Sequence, residues 1–136
     1  MTATGHVLVV EDDPNVLDIT SYMLELEGYD VLTAMNANEA LTLLAVHPEV
    51  SLVLTDVNMP GDMDGIGLVS ELRRQGNPVS CVVVSGDALQ AAERLSELGK
   101  AGEPGKLGKL GKPAAFLAKP YDRRSLLKAV DDAIPH

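Results

Sequence analysis

The chain has few cysteines and few aromatic residues. Among its 136 residues there are one cysteine, three tyrosines, one phenylalanine and no tryptophan. A single cysteine, Cys81, cannot form a disulfide within the chain, which excludes the class of small disulfide-rich secreted domains and favours a reducing compartment. Because Cys81 lies within an apolar run, we expect it to be a small buried side chain. Because aromatic residues are so few, the core must be built from aliphatic residues.

Basic residues are also scarce, at 11 against 20 acidic residues, so the formal net charge is −9. An acidic chain is repelled by nucleic acid and by anionic membrane surfaces, so direct binding to nucleic acid is not expected. No apolar run reaches the roughly 18–20 residues that a membrane span requires. The first residues also lack the basic and then apolar pattern of a secretory signal. We expect a cytoplasmic protein with no membrane insertion.

Short apolar runs alternate with amphipathic segments along the chain. Runs rich in β-branched residues predict strands, whereas apolar residues three or four positions apart predict helices. The predicted strands are 6–10, 29–34, 50–55, 79–84 and 114–118. The predicted helices start near Pro14, Asn36, Ile66, Leu89 and Asp122. The residues predicted to cap helix N-termini are Asp13, Asn36 and Asp122, and Asp64 is predicted to form a turn.

The alternation of strand and helix predicts an α/β fold with a five-stranded parallel sheet covered by helices on both faces. The flavodoxin-like strand order 2-1-3-4-5 suits five such units. We expect one domain over residues 1–136, with its core at about 5–134. In such sheets the functional site lies at the carboxyl ends of the strands, where the strand order reverses. Those ends carry Glu11-Asp12-Asp13, Asp56, Ser85 and Lys119-Pro120.

Acidic residues follow the first and the third predicted strands. Carboxylates held a few ångströms apart repel one another unless a cation lies between them, and a hard divalent ion takes oxygen ligands. Mg²⁺ keeps several water ligands, so two or three protein oxygens are enough. We expect Asp12 and Asp56 to bind Mg²⁺, with Glu11 acting directly or through water. The backbone carbonyl of Asn58, just past Asp56, could complete the set.

A cation and a hydroxyl group follow the other two strand ends. Lys119 can pair with the Asp56 carboxylate and later with a phosphoryl oxygen, and Ser85 can donate a hydrogen bond. Phosphoryl transfer depends mostly on positioning and on charge neutralisation. An anionic nucleophile, a metal ion, a cation and a hydroxyl group together favour that chemistry.

Five segments at predicted strand ends or in the loops that follow them resemble the receiver domain of bacterial two-component systems. The resemblance covers about residues 5–134. Acid pairs and Lys-Pro dipeptides are common singly, but five such segments in this order are highly specific. The segments are Leu8-Val9-Val10-Glu11-Asp12-Asp13, Leu54-Thr55-Asp56-Val57-Asn58-Met59-Pro60, Met63-Asp64-Gly65, Val84-Ser85-Gly86 and Lys119-Pro120.

The resemblance implies a role for each matched residue. Asp56 would be the phosphoacceptor, and Ser85 and Lys119 would bind the phosphoryl oxygens. Phe116 stands where the family keeps an aromatic switch residue, and Asn58 and Asp87 stand where the family tunes dephosphorylation. Because these last two are small and polar, we expect a short-lived phosphoryl state. The Mg²⁺ ligands implied by the resemblance are Glu11, Asp12, Asp56 and the backbone carbonyl of Asn58.

The resemblance also implies partners. The phosphodonor would be a phosphohistidine on a sensor histidine kinase or on a histidine phosphotransfer protein. Phosphorylation would switch a protein-interaction face towards an unknown downstream protein, with the chain acting as a monomer or weak dimer. The domain would assist only its own phosphorylation and dephosphorylation and would not be an enzyme for other substrates. Either a single-domain regulator or the receiver of a hybrid histidine kinase fits this pattern.

Two segments depart from the family pattern. The loop 59–65 is one residue longer than the common form, which should change loop shape more than chemistry. Segment 99–113 has glycine at every third position from 99 to 111 and carries four lysines against one glutamate. This Gly-x-y period is typical of collagen, but a triple helix needs three chains. We expect a flexible basic loop that either modifies partner choice or is a tolerated surface insertion.

Two other functions share this fold prediction. A receiver fold could serve as a constitutive adaptor without phosphorylation, although the intact set of site residues argues against it. A phosphatase with an aspartyl-phosphate intermediate usually needs a second acid two residues after its nucleophile. Asn58 occupies that place and cannot protonate a leaving group.

Overall fold

The computed structural model describes residues 5–59, 61, 63–86, 93 and 115–134. Within these ranges five strands and four helices have both ends defined. The strands are β1 His6–Val10, β2 Asp30–Ala34, β3 Leu52–Asp56, β4 Ser80–Ser85 and β5 Ala115–Ala118. The helices are α1 Pro14–Leu26, α2 Ala37–Val46, α3 Gly65–Arg74 and α4 Arg123–Ala133.

The five strands form one parallel sheet in the order β2-β1-β3-β4-β5, which confirms the predicted topology. The register aligns the strand ends that carry polar residues. Val10 at the end of β1 is paired with Thr55, and Asp56 at the end of β3 is paired with Val84. Ser85 is paired with Ala118, the last residue of β5. The residues at the ends of these four strands, or directly after them, therefore meet at one edge of the sheet.

Two apolar layers cover the sheet, one on each face. Successive side chains of a strand point to opposite faces, so Leu8 and Val53 pack in the layer with α2 and α3. Val9 and Leu54 pack on the other face with α1 and α4. Burial on both sides explains why the central strands read as continuous aliphatic runs. Cys81 belongs to the first layer and is buried, as the sequence predicts.

Side-chain caps start the helices that flank the site. Asp13 has extended backbone and its Oδ1 atom accepts a hydrogen bond from the N–H of Asn15 at 2.9 Å. Asp122 caps α4 through the N–H of Ser125 at 2.8 Å. These two caps and the Asn36 cap confirm the sequence prediction. Asp64, predicted as a turn residue, is the N-cap of α3.

The bounds of β1 are the predicted ones, whereas β2, β3 and β4 begin or end one or two residues away from their predicted positions. Tyr29 and Val50 are buried, which explains their place in the apolar pattern. The N–H of Tyr29, however, donates to the Leu24 carbonyl, and the N–H of Val50 donates to the His47 carbonyl. These two residues close turns rather than pair with a neighbouring strand, so β2 and β3 begin later.

Three sequence predictions lie outside the described residues, namely the helix with Leu89, Ala92, Leu95 and Leu98, the position of Asp87, and the segment 99–113. The assignment of a single domain over residues 1–136 therefore stays a prediction. Among the described residues, the helices are too short or too polar to cross a membrane.

Candidate functional site

Three carboxylates meet where β1 and β3 end. Glu11, Asp12 and Asp56 each offer a carboxylate oxygen, and these oxygens all lie within 4.8 Å of one another. Glu11 and Asp56 are buried, whereas Asp12 is exposed. The backbone N–H of Glu11 donates to the Ala34 carbonyl, which continues the β1–β2 pairing past the last strand residue. The strand ends therefore bring together the acids that the sequence predicted to be neighbours.

The acidic cluster carries an electrostatic cost that is visible at Glu11. The pKa of Glu11 is raised to about 7, and the largest cause is burial. The negative charge of Asp56 also contributes to this rise, whereas a hydrogen bond from the Asp13 backbone N–H, at 3.1 Å, opposes it. A buried carboxylate beside a second one favours either a proton or a nearby cation. The cluster is therefore suited to attract positive charge.

One protein cation lies beside the cluster. The Nζ atom of Lys119 is 2.9 Å from Oδ2 of Asp56. Partial burial by itself would lower the pKa of Lys119, but the hydrogen bond and charge of Asp56, together with the charge of Glu11, raise it above its ordinary value. The backbone N–H of Lys119 donates to the Ser85 carbonyl at 2.8 Å, which fixes the residue against the end of β4.

The backbone around Asp56 is held closely on two sides. The carbonyl oxygen of Asp56 accepts a hydrogen bond from the buried hydroxyl of Thr55 at 3.0 Å. A Cβ atom placed on Gly65 would lie 2.1 Å from that same oxygen, so only glycine fits there. The N–H of Gly65 donates to the Val57 carbonyl at 3.0 Å. The start of α3 therefore packs directly on the backbone that carries the Asp56 carboxylate.

Of the other predicted site residues, one contacts Asp56 directly, two lie on the neighbouring strands β4 and β5, and one lies outside the described residues. Asn58 donates its backbone N–H to Oδ1 of Asp56 at 3.3 Å. Ser85 is buried at the end of β4, one residue past the partner of Asp56 in the sheet. Phe116 lies on β5, paired with Val83, and its side chain is 44 % exposed. Asp87 lies outside the described residues.

The sequence did not indicate two hydroxyl groups that border the acidic cluster. Thr20 of α1 and Tyr121, which follows the Lys119-Pro120 dipeptide, are hydrogen-bonded through their side-chain oxygens at 3.1 Å. Both residues line a small cavity that also contacts Glu11 and Asp56. Thr20 is a polar residue that the fold buries on α1, and the apolar pattern of the helix gave no signal of this. Nothing in the sequence pattern linked it to Tyr121.

The atoms of the acidic cluster that could bind a metal ion are carboxylate oxygens. The carboxylates of Glu11, Asp12 and Asp56 are the ligand type that hard divalent cations prefer, and softer metals would favour thiolate or imidazole. Mg²⁺ needs one or two carboxylates and keeps water in its other positions. The chemistry of the donor set therefore fits Mg²⁺.

Comparison with known families and sequences gives a consistent result. The model of the response regulator receiver domain matches residues 7–131. The transcriptional regulatory protein GlrR of Escherichia coli is 34 % identical over 132 residues, which are 96 % of this chain and 26 % of that protein. The chain thus spans about a quarter of the length of this relative. An uncharacterised 14.6 kDa protein of Leptolyngbya boryana is 46 % identical over 71 residues, or 52 % of this chain and 53 % of that protein.

Solved structures with the same fold cover nearly the whole length of the chain. The chemotaxis protein CheY4 of Vibrio cholerae superposes with a TM-score of 0.77 at 26 % identity, over 97 % of this chain and 100 % of that one. A response regulator receiver protein of Pseudomonas putida gives a TM-score of 0.74 at 28 % identity, over 97 % and 99 % of the two chains.

Proposed function

Because this chain belongs to the response regulator receiver domain family, we propose that it accepts a phosphoryl group on Asp56 in a Mg²⁺-dependent reaction. The phosphodonor is a phosphohistidine of a sensor histidine kinase or of a histidine phosphotransfer protein. The modified domain then changes its affinity for a downstream protein. The domain acts in the cytoplasm and serves either as a single-domain regulator or as the receiver of a hybrid kinase.

The observation that carries this proposal is the position of the Asp56 carboxylate. One of its oxygens is 2.9 Å from the Lys119 ammonium, and the carboxylates of Glu11 and Asp12 lie beside it. A carboxylate that served only the fold would not need a buried place among two other acids, because such crowding is costly. The crowding becomes useful where a metal ion and a phosphoryl group must be held together.

The residues at the site divide the work of phosphoryl transfer. An oxygen of Asp56 attacks the phosphorus atom, an O–P bond forms, and the N–P bond of the donor breaks with its electron pair returning to the imidazole ring. Lys119 holds Asp56 before transfer and pairs with a phosphoryl oxygen after it, and Ser85 donates its hydroxyl to another. Glu11, Asp12, Asp56 and the Asn58 carbonyl would hold Mg²⁺, which when bound neutralises charge on the transferred group.

The same residues connect the chemistry to signalling. Ser85 and Phe116 are the switch residues of this proposal, because the hydroxyl follows the phosphoryl group and the half-exposed aromatic ring lies on the neighbouring strand. Asn58 and Asp87 set the lifetime of the phosphoryl group by seating the attacking water. Phosphorylation thereby biases the surface formed by β5 and α4.

Intact-mass measurement tests the proposal. The protein is incubated with acetyl phosphate, with and without Mg²⁺, beside the variant Asp56→Asn and the control Asp18→Asn, whose acid lies on the exposed face of α1. We expect one phosphoryl adduct in the wild type and in Asp18→Asn when Mg²⁺ is present, and none in Asp56→Asn. Absence of an adduct in the wild type under every condition would reject phosphorylation and favour a constitutive adaptor.

A further inference from the structure

A hydrogen bond joins the loop after β5 to the helix after β1. The side-chain oxygens of Thr20 and Tyr121 lie 3.1 Å apart, although the two residues are 101 positions apart in the chain. Thr20 is 3 % exposed, so its hydroxyl has little access to solvent. A buried hydroxyl that has a partner is costly to leave unpaired, which makes this contact specific.

The contact lies two residues from Lys119, in a short segment that is anchored at several points. The backbone of Lys119 is tied to β4 through the Ser85 carbonyl, and Asp122 starts α4 as its N-cap. The hydroxyl of Tyr121 ties the middle of this segment to α1. An ion pair between Arg123 and Glu27 also connects these two helices, but it is exposed and contributes little. The hydroxyl pair is thus a part-buried polar link between the lysine loop and α1.

Lys119 needs such a link because its side chain is long and its head group must be placed accurately. A flexible chain of four methylene groups separates the ammonium from the backbone, so small movements of the loop displace the ammonium. Its target is Asp56, and Thr20 and Tyr121 line the same cavity as Asp56 and Glu11. We infer that the Thr20–Tyr121 hydrogen bond positions Lys119 for the phosphorylation of Asp56. This inference rests on the proposed function.

Removing only the hydroxyl of Tyr121 tests the hydrogen bond to Thr20 separately from the apolar packing of the Tyr121 ring. The aromatic ring of Tyr121 packs against the apolar layer between α1, α4 and the sheet. The change Tyr121→Phe keeps the ring and its apolar contacts and deletes the oxygen. Thr20→Val deletes the partner hydroxyl with the same β-branched shape, whereas Thr20→Ser keeps the hydroxyl and loses a methyl group. Tyr22, which is 62 % exposed on α1, provides the matched control Tyr22→Phe.

The test compares these variants and the double variant Thr20→Val with Tyr121→Phe. Three quantities are measured for each protein: the rate of adduct formation with saturating acetyl phosphate and Mg²⁺, the Kd for Mg²⁺ alone by calorimetry, and the urea midpoint of unfolding. We expect Tyr121→Phe and Thr20→Val each to slow phosphorylation about threefold to tenfold, as loss of one hydrogen bond implies. The double variant should be no slower than the slower single variant, because both changes remove the same contact.

The control measurements separate positioning from a general loss of structure. Thr20→Ser and Tyr22→Phe should be phosphorylated at the wild-type rate. The Kd for Mg²⁺ should stay within about twofold of wild type in all variants, because the carboxylates are not displaced, whereas a loosened fold would weaken it. Rate losses that multiply in the double variant, or that come with an equal loss of Mg²⁺ affinity, would overturn the inference.

Failure of the inference can be told apart from failure of the proposed function. A wild-type adduct with unchanged rates in Tyr121→Phe and Thr20→Val would overturn the inference alone. Absence of any adduct in the wild type would overturn both. In that second case the urea midpoints still report whether the two hydroxyls are coupled, because a real hydrogen bond makes the double variant more stable than the sum of the single losses predicts.

Discussion

The Nζ atom of Lys119 lies 2.9 Å from Oδ2 of Asp56, and the two residues are 63 positions apart in the chain. The Asp56 carboxylate is thus paired with a cation. In the proposed reaction the same cation would pair with an oxygen of the phosphoryl group. Replacing Lys119 with Gln removes that cation and keeps much of the side-chain length. We expect phosphorylation by acetyl phosphate to slow by about a hundredfold or more, as loss of one charge-stabilising donor implies.

Lys128→Gln is the matched control, because Lys128 is an exposed lysine of α4 that pairs with Asp132. Its rate of adduct formation should equal that of the wild type. A Lys119→Gln protein that is phosphorylated as fast as this control would contradict the role given to Lys119.

The contact between α3 and the Asp56 backbone leads to a prediction about stability. A methyl group at position 65 would meet the Asp56 carbonyl oxygen at 2.1 Å, so Gly65→Ala must push β3 and α3 apart. Overpacking of this kind typically costs about 1–3 kcal/mol, and we expect a loss in the upper part of that range in urea unfolding. Phosphorylation of Asp56 should slow as well, because the carboxylate moves with its backbone.

Gly67→Ala, two residues further along the same helix, is the control. The added methyl group would lie 2.9 Å from Cγ of Met63 and 3.4 Å from Oδ1 of Asp64, so side-chain atoms must shift but no backbone atom is in the way, and alanine favours a helix over glycine. The loss of stability in this variant should be clearly smaller than that in Gly65→Ala. Equal losses in the two variants would mean that the close approach at position 65 is not what limits substitution there.

The sequence predicted the strand order and the meeting of four strand ends because both follow from alternation and from sheet geometry. Glu11, Asp12, Asp56 and Lys119 accordingly lie together. The boundary of β3 was predicted two residues early because burial and strand pairing are different properties, and Val50 has the first without the second.

The contacts that the sequence did not predict join residues of different elements, which lie apart in the chain. The hydrogen bond between Thr20 and Tyr121 joins residues that no local pattern connects. The approach of Gly65 to the Asp56 carbonyl depends on how a helix meets a strand, which composition does not encode. Both contacts could be identified only once the relative positions of the helices and strands were known.

The three neighbouring carboxylates should destabilise the protein when no divalent cation is present. Asp12→Asn removes one negative charge while keeping the size of the side chain. We expect this variant to have a higher Tm than the wild type in the presence of a chelator, because repulsion from Glu11 and Asp56 is relieved. Saturating Mg²⁺ should raise the stability of the wild type by about 1–3 kcal/mol, and that of the variant by clearly less.

Asp18→Asn serves again as the control in this experiment, because Asp18 is an exposed acid outside the cluster. It should leave both the Tm in chelator and the gain with Mg²⁺ unchanged. If Asp12→Asn lowered the Tm in chelator, the carboxylates would not be in unfavourable proximity, and the account of the metal site would need revision.

The cysteine thiol should be protected in the folded protein. Burial raises the pKa of Cys81 to about 11, above its ordinary value of 9.0, although the nearby Arg73 lowers it. The thiolate is the form that attacks an alkylating reagent, and its fraction at pH 8 is about a hundredfold lower at the higher pKa. Iodoacetamide at pH 8 should therefore add one label in urea and almost none in native buffer, as read by intact mass. Rapid labelling of the native protein would contradict the buried position of Cys81.

The central claim is that Asp56 is the residue that receives the phosphoryl group. Reduction of the acyl phosphate with borohydride converts the modified aspartate to homoserine, and peptide mass spectrometry then locates it in the chain. After incubation with acetyl phosphate and Mg²⁺, we expect homoserine at position 56 and aspartate at positions 12, 13 and 64. Homoserine at any of those other positions, or at none, would contradict the account.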